Sequence, residues 1–144
     1  MFAPAPTWDL EAILPGGPVG AAFEAEYHAV KGALGAILAR SEALEGEPHP
    51  AVLAGLLLDL ERVGPRLDQL YTFAGCHAAA DATSEAPVRA EARLAALGAL
   101  SGRAWVAPRD RVVRMDDASF AALLAEPSIG HMRNMLVSDR RQGR

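Results

Sequence analysis

The run PAVLAGLLLDLERVGPRLDQLYTFA, residues 50–74, decides the fold class. Within it Leu53, Leu56, Leu57, Leu60, Val63, Leu67, Leu70, Tyr71 and Ala74 recur at steps of three and four residues, the period of one helix face. Pro50 stands at the start, where a proline is tolerated in the first helical turn. Gly64-Pro65 lies inside the pattern. A proline there removes one backbone hydrogen bond and crowds the preceding turn, so the unbroken period predicts one helix kinked near residues 62–65 and not two unrelated helices.

The rest of the chain reads the same way. Ala (30) and Leu (18) together make up 48 of the 144 residues, and both are strong helix formers, whereas β-branched and aromatic residues are sparse. Phe23, Tyr27, Val30, Leu34, Ile37 and Leu38 form the stripe of a first helix from about Val19 to Leu44, which residues 46–50 break. Asp81, Thr83 and Ser84 offer side-chain oxygens to the free amides of a third, from Glu85 to Val106, with Pro87 in its first turn. Its face is Leu94, Leu97, Leu100 and Trp105 amid alanines. Residues 107–115 read as a loop or short strand. Asp116 or Asp117 caps a short helix through Phe120, Leu123 and Leu124, and Ser128 caps a last one through Met132, Met135 and Leu136. Residues 1–17, punctuated by Pro4, Pro6, Pro15 and Gly16-Gly17, form an extended arm. Trp8, Leu10, Ile13 and Leu14 make the arm too apolar for a free tail, so it is expected to dock on the core with Trp8 as its structural anchor. The expected fold is all-α: an up-and-down bundle of three long helices plus two short C-terminal ones over residues 18–144, with the extended N-terminal arm.

Charge and cysteine usage narrow the function classes. Fourteen Lys and Arg against eighteen Asp and Glu give a net charge of -4, which argues against a nucleic-acid partner. The longest apolar run, residues 51–58, is far short of the ~20 residues that cross a bilayer, so no membrane partner is expected. One cysteine excludes an internal disulfide and suits a reducing compartment; with no basic residue before Lys31 and an interrupted apolar start, a cytoplasmic location is expected.

Candidate chemistry is thin. None of His28, His49, His77 and His131 is followed by Glu or by a second His four residues on, so the HExxH of a zinc peptidase is missing. The Glu-x-x-His of a di-iron bundle is missing too, since Ala25, Gly46, Ala74 and Ser128 hold the Glu positions. Glu24 with His28 and His77 with Asp81 are carboxylate–imidazole pairs at i,i+4, read as helix-surface hydrogen bonds because two ligands on one turn do not close a metal site. Cys76 and His77, adjacent on a helix, point about 100° apart and do not share a proton, so Cys76 reads as a buried structural residue. Residues 16–20, GGPVG, lack the lysine and preceding strand of a phosphate loop and read as turn punctuation. Arg103, Arg109, Arg111 and Arg114 form the one basic cluster, read as a solvated face. No catalytic, metal or cofactor-binding residue is assigned, and none of this points to an enzyme.

Three segments carry a resemblance. Thr7-Trp8-Asp9-Leu10 followed by Ile13-Leu14-Pro15, the helix end from Leu67 to Asp81 leading into Ala82-Thr83-Ser84-Glu85, and the tail Phe120-Ala121-Ala122-Leu123-Leu124-Ala125-Glu126-Pro127 with Ile129, Arg133 and Leu136 resemble, in order and spacing, the N-terminal helical region of bacterial oligoendopeptidase F, in the M3 family of zinc metallopeptidases. Met132 and Met135 depart from the aromatic residues of that pattern, and Gly64-Pro65 interrupts a helix that is usually continuous. The resemblance implies a non-catalytic lid or channel wall that admits only short peptides, with zinc and the peptide substrate belonging to a catalytic domain that the chain does not contain. The alternative is an unrelated helical bundle that dimerises or binds a partner protein. Leu56, Leu57, Leu58 and Leu60 surround more than half of the second helix, an arc that calls for cover on two sides, and they are the candidate interface for that catalytic domain or for a second copy in a two-fold dimer.

Overall fold

A computed structural model describes residues 9–143. Five α-helices follow one another: α1 (Ala21–Glu42), α2 (Pro50–Ala80), α3 (Glu85–Arg114), α4 (Asp117–Leu124) and α5 (Arg133–Gln142). Short 3-10 segments occupy Leu10–Ala12, Gly17–Val19 and Pro127–Met132. No strand occurs among the described residues. The all-α reading holds, and the three long helices pack pairwise against one another.

Cross-helix pairs fix the directions. Arg40 meets Asp59 and Arg66 meets Glu26, so α1 and α2 run antiparallel. Arg93 meets Glu24 and Arg103 meets Glu42, so α3 runs back alongside α1. The bundle is up-and-down. Its main core joins Phe23, Tyr27, Val30, Leu34 and Ile37 of α1 to Leu56, Leu60, Val63, Leu67, Leu70 and Phe73 of α2 and to Ala90, Leu94 and Leu97 of α3. Leu10 and Leu14 of the N-terminal segment pack against this core. Trp8, the expected anchor, lies outside the described residues.

The turn into α1 depends on glycine. Gly16 has φ +88° and Gly17 φ +68°, a left-handed conformation that costs L side chains, and a Cβ on Gly20 would lie 2.5 Å from the Pro15 carbonyl oxygen. Glu11 fastens the turn by accepting from the Gly16 amide at 2.7 Å. These glycines are punctuation, as their sequence suggests.

Two boundaries differ from expectation. Residues 107–115 are neither loop nor strand: α3 continues through Pro108 to Arg114. Proline removes the amide that would bond the carbonyl of Ala104, and Ser41 of α1 supplies the replacement, its Oγ donating to that oxygen at 3.1 Å in a buried site. Ser128 does not cap the last helix either. It lies within the Pro127–Met132 segment, and α5 opens after Met132 without a side-chain cap. Asp116 does cap α4, accepting from the Ser119 amide at 2.7 Å, and this bond holds its carboxyl below the usual range.

A second core lies at one end of the bundle. Leu53, Ala54 and Leu57 of α2 pack there with Val112 and Met115, and Leu123, Ile129, Met132 and Leu136 cover them. The short C-terminal elements are therefore a lid on the far side of α2. Arg140 locks that lid. Its buried guanidinium donates to Asp117 Oδ1 at 2.6 Å and to the Asp116 carbonyl at 3.4 Å, and it lies 4.3 Å from the centre of the Phe120 ring.

Candidate functional site

Each candidate residue has a definite place. Leu56 and Leu60 belong to the main core and Leu57 to the second; all three are at most 1% exposed. Leu58 is half-buried and packs on the second core. The four leucines are thus not an uncovered face. The arc is covered on two sides, as its width demands, but both covers come from this chain: α1 and α3 on one side, the C-terminal lid on the other.

The histidines are dispersed; His28, His49 and His131 each have a polar neighbour, while His77 Nε2 is buried without a hydrogen-bond partner. His28 lies 3.7 Å from Glu24 on an open surface, while Glu24 gives both carboxylate oxygens to Arg93 at 2.5 and 2.8 Å. Those bonds hold the Glu24 carboxyl below its ordinary range against the opposing effect of partial burial. His49 caps α2 through Nδ1, which accepts from the Ala51 amide at 3.3 Å. His131 meets Glu61 at 2.8 Å and ties the lid to α2. His77 turns its ring onto Phe73, 4.6 Å between centres, while Asp81 accepts from Thr83 through both amide and hydroxyl at 3.0 and 2.6 Å. The expected surface pairing of His77 with Asp81 is replaced by that turn. Among the described residues, no three His, Cys, Asp or Glu side chains are grouped to hold a metal ion.

Cys76 is exposed, contrary to the buried role expected of it. It stands one residue off the stripe that ends at Phe73, Ala74 and His77, so its side chain leaves the core face. The basic cluster lies largely on a solvated face, as its sequence suggests, with each member paired. Arg103 pairs with Glu42 at 3.0 Å, Arg109 with Asp139 at 3.4 Å and Arg114 with Asp110 at 2.8 Å, and Arg111 donates to the Leu44 carbonyl at 2.7 Å.

Several shallow concavities combine charged and apolar lining, and the one between α1 and α2 has the largest volume among them. The groove between α1 and α2, about 300 Å³, is floored by Ala33, Ala36, Ile37 and Val63. Arg40, Arg62, Arg66 and Asp59 rim it. No sequence motif marks it, because its residues come from two helices some twenty to thirty positions apart.

No protein-family profile, no curated protein and no solved structure matches the chain.

Proposed function

We propose that the chain is a non-catalytic helical domain of an oligoendopeptidase F-like zinc metallopeptidase, a wall or lid that restricts a catalytic channel to short peptides. One observation carries the reading: the three segments behind the resemblance coincide with joints of the fold. Leu10 and Leu14 are the residues by which the N-terminal segment packs on the core. Asp81 and Thr83 form the bonded turn between α2 and α3. Phe120 to Pro127 spans α4 and the turn into the next segment, the two short elements that close the bundle. Spacing that serves three separate joints supports common architecture better than any one motif would. Zinc, its ligands and the reacting peptide belong to the catalytic part in this reading. The test is the reading frame that encodes the chain. An in-frame HExxH within a few hundred codons after Arg144 supports the proposal, and a frame that never encodes one contradicts it.

A second reading has an observation of its own. Because Leu56, Leu57 and Leu60 are covered from both sides within the chain, the bundle needs no further domain to seal its cores, which favours a self-contained partner-binding module.

A further inference from the structure

We infer that the groove between α1 and α2 is a docking site for an acidic peptide segment bearing one apolar side chain. The inference goes beyond the channel-wall reading and does not depend on it.

Charge is unbalanced at the rim of the groove. Arg66 is held by Glu26, its guanidinium giving two bonds at 2.7 and 3.0 Å. Arg40 and Arg62 share a single carboxylate, that of Asp59. Arg40 Nη1 reaches Oδ2 at 2.5 Å, and Arg62 Nη1 stands 3.6 Å from Oδ1, beyond hydrogen-bond range. Each guanidinium carries five N–H donors in a fork that suits a second carboxylate. The Arg62 side chain is 73% exposed and that of Arg40 is 53% exposed, so these donors face water at the groove's edge. The rim is locally positive in a chain whose net charge is -4.

The floor supplies the other half of the recognition. Ala33 and Ala36 are small, so α1 and α2 leave a depression where longer side chains would close it, and Ile37 and Val63 form its base. At about 300 Å³ it is at the small end of ligand clefts and has room for one apolar side chain of the size of Leu or Phe. Flanking carboxylates of the same segment then reach Arg40 and Arg62, where charge-assisted and bidentate bonds give the orientation. A basic segment would meet the same rim repulsively.

Fluorescence anisotropy tests this with a capped, fluorescein-labelled peptide of a central leucine flanked by glutamates. The expected result is saturable binding that weakens at least tenfold in Arg62→Glu and in Ala36→Leu. It should change less than twofold in Arg89→Glu, which alters the net charge equally but lies on the exposed surface of α3. The lysine counterpart of the peptide should not bind. Both groove positions are exposed helix surface, so retained helicity by circular dichroism separates loss of binding from loss of fold. Absence of saturable binding, an equal loss in Arg89→Glu, or unchanged affinity in Ala36→Leu would overturn the assignment.

Discussion

Ser41 Oγ donates to the carbonyl oxygen of Ala104 at 3.1 Å, across the α1–α3 interface and out of water. That oxygen is the one Pro108 leaves without its helical partner, so a proline on one helix and a serine on another form a single device. Pro65 has no such partner: it and Glu61, whose carbonyl it releases, lie on an exposed face.

Ser41→Ala should therefore cost about 1–3 kcal/mol, the penalty of an unsatisfied buried acceptor. In a Pro108→Ala background, where the amide returns, the same substitution should cost less than half as much. Chemical denaturation of the four proteins in the cycle measures the coupling. Additive effects would show that the serine and the proline are not coupled.

Leu56→Ala and Leu57→Ala should each cost about 2–5 kcal/mol, although the two side chains point to different cores. If Leu57 were an exposed contact, its truncation would fall within about 0.5 kcal/mol of wild type. Denaturation midpoints decide between these.

The pairing of Glu24 with Arg93 should give the bundle a measurable acid sensitivity. The folded-state carboxyl is held below its ordinary value, so its contribution is present above the unfolded glutamate range and is lost as pH falls through the folded value. Both side chains are more than a third exposed, so the electrostatic part is under about 1 kcal/mol. Stacking of Arg93 on Tyr27, 4.1 Å to the ring centre, adds a part that does not vary with Glu24 protonation. Arg93→Ala should accordingly be less stable at pH 7, with the deficit narrowing but not vanishing near pH 3.

Arg140→Ala should loosen the lid by about 1.5–3 kcal/mol, the scale for hydrogen bonds made by a charged group. Amide exchange in α4 should accelerate before that in α1. Uniform acceleration throughout would mean that the lid and the bundle unfold as one unit.

The long helices were legible because their apolar stripes are regular and their ends carry proline, glycine or capping residues. The end of α3 was not. Pro108 reads locally as a break, and the residue that satisfies the carbonyl it frees, Ser41, stands sixty-seven positions earlier in the chain. The leucines of α2 were legible as a doubly covered arc, but periodicity does not name the cover, and the lid has only short, weakly periodic stretches. Cys76 was misread because residue type outweighed its angular position. The groove was invisible for the same reason as the lid: its parts meet only in three dimensions.

As proposed above, this helical domain would work beside a zinc-dependent catalytic part. The test is to capture the native polypeptide with an antibody against the helical bundle and assay the captured material on a quenched short peptide, with and without a chelator. The account predicts hydrolysis of the short peptide that the chelator abolishes, and no cleavage of a folded protein substrate. Captured material at full recovery with no peptidase activity, or with activity indifferent to the chelator, would contradict it.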